Sequence, residues 1–446
     1  MANLFVAKYA GSLRFSEDEA LWYAWDGLIW RKSGPRVALQ AARELVHRLS
    51  AGEQASVRLS TERAGFFRAV VQIAQGDPLI TATSKHWDSD HWLLGTPAGT
   101  VDLKTGVLHP ANASDRISKS TSVAPAKTSD CPHWKTFLRE ACEGDIEIIR
   151  FLQQWLGYCL TGVTREHALV SIYGVGGSGK GTFLNTAFKI VGDYAANAAS
   201  DTFTASRFSK NTDDLAKMCG ARFVTSSETE QGQALDERLI KTVTGGDPIT
   251  ARRLYARNFT FDPQFKLTII GNHRPVLTCP DRAMRRRTNI VAFNHKPETP
   301  DHKLSEKLQS EWPAILRWMI EGCLDWQENG LQIASIVMDG TDSYFEDQDT
   351  VGQWLKENYD CQPGNERWMV SAADIFASWG SFAEARNEPV GSMKALSAVL
   401  QQKRFISKRT TAGQRYLGLR LRTAGAGLDG TDNVVNMAAA KARAST

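Results

Sequence analysis

Residues 168–185, ALVSIYGVGGSGKGTFLN, constrain this chain more than any other stretch. An apolar, largely β-branched run (Leu169, Val170, Ile172, Tyr173) leads straight into Gly174-x-x-x-x-Gly179-Lys180, and a helix-competent stretch, 182–191, follows. Strand, glycine loop and helix in that order make the setting a phosphate-binding loop requires. Gly174, Gly176, Gly177 and Gly179, with Ser178 among them, let the backbone turn its N–H groups inward, several at φ above zero. Lys180 would meet the β- and γ-phosphates as a point charge, and the positive end of the helix starting near Gly181 would add to it. A Ser or Thr usually follows the lysine and ligates Mg²⁺. Here Gly181 stands in that place and Thr182 follows, so either Thr182 supplies the hydroxyl or the metal keeps a further water. The bland alternative is a glycine-rich turn with an incidental lysine; the strand before it and a second motif downstream argue against that.

The second motif is Arg222-Phe223-Val224-Thr225-Ser226-Ser227, a short strand closed by Glu228-Thr229-Glu230. Alternation puts Glu228 and Glu230 on one side, at the carboxyl end where a parallel sheet carries its ligands. One carboxylate would hold Mg²⁺ through water and the other would orient the attacking water; the pattern leaves open which does which. A third strand, 265–270, ends in Gly271-Asn272, and an amide there can both donate to a γ-phosphate and accept from the water. On its own a strand-end Asn means little, because turns favour it. Next comes Asp281-Arg282-Ala283-Met284-Arg285-Arg286-Arg287 before the apolar run 290–293. An arginine here would neutralise transition-state charge, most usefully on ATP bound to a neighbouring subunit. Between the second and third strands, 241–259 contains a Gly-Gly-Asp-Pro turn and two strand-like runs. We expect a protruding hairpin with Arg252, Arg253 and Arg257 at or near its tip, suited to a strand backbone.

The rest of the chain divides around this core. Residues up to about 125 are rich in tryptophan and turn signals, and Asp26-Gly27 between 21–25 and 28–30 predicts a hairpin with a two-residue turn. A core filled with tryptophan explains these aromatics better than base stacking does. Asp88 and Asp90 look like paired metal-binding carboxylates, but no third acid on a strand supports them. From Cys131 the pattern turns helical, and 147–160 sets Ile148, Ile149, Leu152, Trp155, Leu156 and Cys159 on one face. Residues 339–349 are acidic and turn-like and read as a linker. Three helices (353–359, 371–385, 392–402) and a two-stranded end predict a winged-helix module. No acid occurs from 389 to 428, whereas Lys394, Lys403, Arg404, Lys408, Arg409, Arg415, Arg420 and Arg422 do. That one-signed run is the footprint of a phosphate backbone. The Ala/Gly-rich tail from 423 lacks periodicity and is expected to be disordered.

A net charge of +4 neither demands nor excludes nucleic acid. The seven scattered cysteines form no C-x-x-C pair and suit a reducing cytoplasm. No apolar run reaches a membrane span, and no signal-peptide pattern opens the chain, so no membrane partner is expected.

The ordered motifs resemble superfamily-3 helicases of the phage and plasmid primase-helicase group, also found in poxviruses. They are GVGGSGKGT (174–182), RFVTSSETEQG (222–232), KTVTGGDPITARRLY (241–255), FKLTIIGNHRP (265–275) and the arginine run before IVAF (290–293). VDLKTGVLHP (101–110) and FLQQWLGYCLTG (151–162) are similar to the domain that precedes the ATPase in that family. The likeness covers residues 20 to 422. It implies an α/β fold: a P-loop AAA+ type ATPase core at 131–335, an N-terminal α+β helicase-associated domain at 1–130 and a winged-helix domain at 350–422, with the tail at 423–446. It further implies a ring, usually a hexamer, that hydrolyses ATP with Mg²⁺ and moves 3′ to 5′ on single-stranded or forked DNA, served by a separate primase or polymerase. Under that resemblance Lys180 and Thr182 bind the nucleotide and its metal, Glu228 with Glu230 form the acidic motif, Asn272 is the sensor and Arg286 or Arg287 the trans-acting finger. Under the same resemblance we expect the primase domain that longer relatives carry in front to be missing, since the sequence begins close to the helicase-associated domain. Two other readings fit parts of the pattern: an ATP-controlled DNA-binding initiator without processive unwinding, and a P-loop nucleotide kinase.

Overall fold

A computed structural model describes residues 1–206, 212–227, 234–253, 258–277, 281–411 and 413–422. Glu228, Glu230, Arg257 and the tail from 423 therefore lie outside the described residues. The chain divides into two compact units, 1–348 and 349–446.

The larger unit centres on a five-stranded parallel sheet of β1 (Leu169–Tyr173), β2 (Ala195–Ala198), β3 (Phe223–Ser227), β4 (Lys266–Gly271) and β5 (Thr288–Ala292), ordered β5-β1-β4-β3-β2. Its middle strands are buried on both faces, as uninterrupted apolar runs such as Leu169-Val170 and Leu267 require. Helix α1 (Ile146–Leu160) packs on it: the indole of Trp155 donates to Thr268 Oγ1 on β4 at 2.9 Å. The expected stripe of α1 is buried, but the helix is enclosed on its other faces too, because α5 (Leu304–Asn329) lies against it. Gly157 and Gly322 permit this approach. A Cβ on Gly157 would stand 2.2 Å from the Cys323 nitrogen, and one on Gly322 2.2 Å from the Gln153 carbonyl oxygen.

Two buried cations tie the amino end of the sheet to its surroundings. Arg222 donates to the carbonyls of Leu160 (2.8 Å) and Leu93 (2.9 Å), with its guanidinium over the Tyr194 ring at 4.5 Å. Lys266 donates to the carbonyls of Thr161, Val163 (3.3 Å) and Gln264 (3.2 Å). These carbonyls include the orphaned end of α1, which a cation satisfies well. Burial nevertheless pushes Lys266 down to about 7.

Towards the N terminus, strands Leu13–Ser16, Leu21–Trp25 and Trp30–Ser33 pair antiparallel, with Thr81–Ala82 added in parallel. Helices Ala2–Tyr9, Arg36–Ser50 and Ala64–Gln75 bury Phe5, Ala42 and Val70 with Trp22. The predicted hairpin forms with a longer connection than expected: Trp25 pairs with Trp30, and Asp26 accepts from the amides of Leu28 and Ile29, both at 2.8 Å. That Asx geometry holds a four-residue loop where Asp-Gly suggested two. Asp88 is buried and accepts from the Ser118 amide at 2.9 Å, a structural role rather than a metal-binding one.

The expected linker is instead part of helix α6 (Ser335–Gln348). Val337, Thr341, Tyr344 and Phe345 recur at helical spacing and are buried, a stripe that its acidic composition concealed. Thr341 Oγ1 accepts from the Ile290 amide on β5, so the segment is docked on the sheet. No helix among the described residues is long and apolar enough to cross a membrane.

The smaller unit has helices Thr350–Asn358, Ala372–Ala385 and Met393–Gln402. Strands Met369–Ser371, Gly413–Leu417 and Ser407–Thr410 form a three-stranded sheet beside the pair Tyr359–Cys361 and Leu419–Leu421. Trp354, Tyr359, Ile375, Leu396 and Leu400 make its core.

A candidate phosphate-binding cleft at the strand ends

The register of the sheet assembles the site. Tyr173 on β1 is level with Gly271 on β4, and Ile270 with Ser227 on β3, so the three strands bring Gly174, Ser227 and Asn272 to one edge. β1 lies where the strand order reverses, since its neighbours are β4 and β5, and ligands of open parallel sheets gather at that crevice.

Backbone geometry explains the glycines. Gly174 has φ +149°, and a Cβ there would stand 1.9 Å from the Phe293 carbonyl oxygen. Gly179, at φ +90°, begins helix α2 (Lys180–Val191), and its Cβ would meet the Phe137 ring at 2.6 Å. Lys180 is buried, and its ammonium donates to the carbonyls of Gly174 (2.7 Å) and Val175 (2.9 Å) and to Asn272 Oδ1 (3.2 Å). Ser178 Oγ is 3.4 Å away. Two of the sequence-selected residues, 92 positions apart, thus meet directly. The amino end of α2 and a buried ammonium facing a glycine turn form an anion cradle.

The cleft around them has a volume of about 1140 Å³ and is lined by Gly176 to Thr182, Ser227 and Asn272. Thr182 is half-buried in its wall, whereas Gly181 is exposed with nothing nearer to its Cβ direction than Asn185 Nδ2 at 4.0 Å. Among the described residues no cluster of three or more His, Cys, Asp or Glu side chains forms a metal cage. The Thr182 hydroxyl on the wall fits a Mg²⁺ that brings most of its ligands as phosphate oxygens and water.

Sequence reasoning missed two walls of this cleft. His133, Thr136, Phe137 and Glu140 come from helix Pro132–Ala141, and His295, Pro297, Glu298 and Leu304 come from the segment after β5. Glu311 on α5 locks the first of them, accepting from the amides of His133 and Trp134, both at 3.0 Å, and contacting His133 Nδ1 at 2.6 Å. These residues carry no local motif. Only packing brings them to a loop about forty positions away on one side and over a hundred on the other.

The arginine run stands elsewhere. The helical turn α4 (Arg282–Arg285) precedes β5, whose first residue pairs with Leu169, at the amino end of β1. Arg286 is exposed, and Arg285 is paired with Asp342 at 2.6 Å. Arg287 is only 9% exposed and donates to the Ala283 carbonyl at 3.0 Å, so of the two expected fingers only Arg286 is accessible. Asp281 caps the turn through the Met284 amide and pairs at 2.6 Å with Lys241 of helix α3 (Glu237–Gly245). Burial pushes the Asp281 carboxyl up, but those bonds outweigh it and hold it below the usual range.

The expected hairpin is present as Ile249–Arg252 paired with Asn258–Phe261. Arg252 and Arg253 are exposed, the latter over the Phe259 ring at 5.4 Å. In the smaller unit the one-signed run is partly neutralised by acids from outside it. Lys403 pairs with Asp349, and Arg420 and Arg422 pair with Asp360 at 2.8 and 3.1 Å. Arg404, Lys408 and Arg409 are exposed, and Arg415 is half-buried.

Residues 2–143 match the family described as D5 N terminal like, and residues 172–287 match a family of unknown function. The chain is 25% identical over 321 residues to a helicase-named protein of Acanthamoeba polyphaga mimivirus, which covers 66% of this chain and 33% of that protein. It is 26% identical over 263 residues to a helicase-named protein of Frog virus 3 (isolate Goorha), covering 52% of this chain and 26% of that one. The chain thus spans about a third or less of these relatives. In fold it is similar to the apo structure of the NrS-1 C-terminal region, with a TM-score of 0.50, 10% identity and coverage of 93% of this chain and 97% of that one.

Proposed function

We propose that this chain, which belongs to the D5-like primase-helicase family, is an ATP-dependent DNA helicase in the replication of a phage, plasmid or other mobile element. The observation that carries the reading is the meeting of Lys180 with Asn272 in the cleft, combined with an exposed Arg286 on the opposite edge of the sheet. β1 is five residues long, so at ~3.3 Å per residue Arg286 is of the order of 16 Å from its own glycine loop. Its guanidinium can complete a cleft only in a second copy, which makes the active assembly a homo-oligomer, by analogy a hexamer.

In this reading Lys180 leaves the loop carbonyls to meet the β- and γ-phosphates of ATP, and Asn272 holds the γ-phosphate and the incoming water. Glu228, which follows Ser227 directly in sequence, and Glu230, two positions further, supply the acid pair. Mg²⁺, held by Thr182 and one of those acids, would neutralise charge on the phosphate chain. Arg252, Arg253 and Arg257 of the hairpin contact single-stranded DNA. The smaller unit serves as a winged-helix module that grips the duplex through Arg404, Lys408, Arg409 and Arg415.

The test is unwinding of a forked duplex with ATP, comparing the full chain with Lys180→Ala. Unwinding by the parent and none by the variant is expected. ATP-dependent binding without unwinding by either would favour the initiator reading, and phosphate transfer to a nucleoside monophosphate would favour a kinase.

A further inference from the structure

A second cavity, of about 290 Å³, opens between the N-terminal strands and the turn at 113–116. Arg14, Trp30, Thr81, Trp87, Ser114 and Arg116 line it. Arg14 projects from strand Leu13–Ser16, half-buried, with its guanidinium 6.0 Å from the Trp30 ring centroid. The indole floor is fixed: Trp30 Nε1 donates to the Ala113 carbonyl at 2.8 Å, and Trp87 is stacked on Tyr23 at 4.1 Å. Trp87, 8% exposed, keeps its indole N–H buried without an acceptor among the described residues.

Arg116 reaches the same cavity because its backbone is left-handed, φ 52° and ψ 35°. That conformation is uncommon for a residue with a side chain and is unfavourable unless its surroundings hold it. It is held by the Asp88 amide, which donates to the Arg116 carbonyl at 3.0 Å. Two guanidinium groups therefore converge on one small cavity, and among the described residues neither has a carboxylate partner. The nearby acids are engaged elsewhere: Asp18 with Ser84, Asp88 with Ser118 and Asp115 with Thr100. Burial and repulsion by Arg116 push Arg14 below the ordinary arginine value. Like charges gathered over a low-dielectric floor are unfavourable until an anion joins them.

We propose that this cavity binds the phosphate group of a nucleotide unit, carried either by a nucleic-acid strand or by a free nucleotide. The planar guanidinium forks match phosphate oxygens, and the volume is near the lower end of ligand sites, about 300 Å³. The site is separate from the Lys180 cleft, so binding needs neither ATP nor its hydrolysis.

The experiment uses the full chain carrying Lys180→Ala, which disables the glycine loop, and titrates it with thymidine monophosphate and with oligo(dT). Arg116→Gln is the main variant, since Arg116 is exposed and its loss spares the core; Arg14→Gln is the second, and Arg116→Lys should restore part of the binding. Loss of one charge-assisted contact should weaken binding about tenfold or more. Weakening for the mononucleotide identifies a free nucleotide as a ligand; weakening for oligo(dT) alone identifies a strand phosphodiester. In either supporting case the ligand raises the melting midpoint of the parent more than that of Arg116→Gln, which a merely structural arginine would not produce. Unchanged affinity for both probes in Arg116→Gln and Arg14→Gln overturns the proposal.

Discussion

The amide of Leu169 donates to the carbonyl of Arg287 at 2.7 Å, which fixes the arginine run at the amino edge of the sheet while Lys180 stands at the carboxyl edge. Within one chain the arginine run and the glycine loop therefore lie at opposite ends of β1. This separation divides the arginines into different roles and gives the first prediction.

Arg286→Ala should leave the unfolding free energy within about 0.5 kcal/mol of the parent's, as exposed substitutions do. It should nonetheless abolish ATP turnover, and mixing it with Lys180→Ala should restore part of that turnover through shared clefts. Arg287→Ala should instead destabilise by roughly 1–3 kcal/mol, because a buried, hydrogen-bonded side chain is lost. Denaturant titration with a mixed-subunit ATPase assay checks both; turnover by Arg286→Ala alone at the parent rate would remove the finger.

Asn272→Ala should retain nucleotide binding, since Lys180 and the glycine loop remain, and lose hydrolysis by ~10²-fold, the usual scale for one positioned polar group. A fluorescent ATP analogue and phosphate release separate the two effects. Equal loss of binding would instead make Asn272 a holder of Lys180 in its present position.

Gly181→Ser fits the open space beside Asn185 and removes a glycine from the first turn of α2. Stability should rise by a few tenths of a kcal/mol, since serine is the better helix former. Turnover should be unchanged if Thr182 holds the metal and increase if the metal lacks a protein hydroxyl; Mg²⁺ titration of the ATPase distinguishes them.

Gly322→Ala should destabilise by about 1–3 kcal/mol through overpacking, because its Cβ would stand 2.2 Å from the Gln153 carbonyl oxygen. A melting midpoint equal to that of the parent would show that α1 and α5 can separate without loss.

Lys266 links stability to pH. Its folded value is about 7 against an ordinary 10.5, so between these limits the unfolded chain holds a proton that the fold has released. Stability contributed by this group therefore rises with pH across that window, and below it the full cost of a buried ammonium remains. Lys266→Met should remove this slope when denaturant midpoints are compared from pH 6.5 to 9; an identical slope in both proteins would contradict it.

Local pattern was enough for the strands that carry Leu169 to Tyr173 and Phe223 to Ser227, for the glycine loop and for the Arg252 hairpin. Strand periodicity, glycine spacing and helix-forming runs act within a few residues, so the chain itself determined them. Where an acidic surface hid an apolar stripe, as in 335–348, composition pointed the wrong way, because burial follows spacing rather than average polarity. Partnership across the chain was decided by the tertiary structure alone. The register that joins Lys180 to Asn272, the packing that adds His133 and Phe137 to the cleft, the acids that neutralise Lys403 and Arg420, and the burial that separates Arg287 from Arg286 all depend on distances between residues far apart in sequence. No local preference encodes such distances; they emerge only when the sheet and its helices close on a common core.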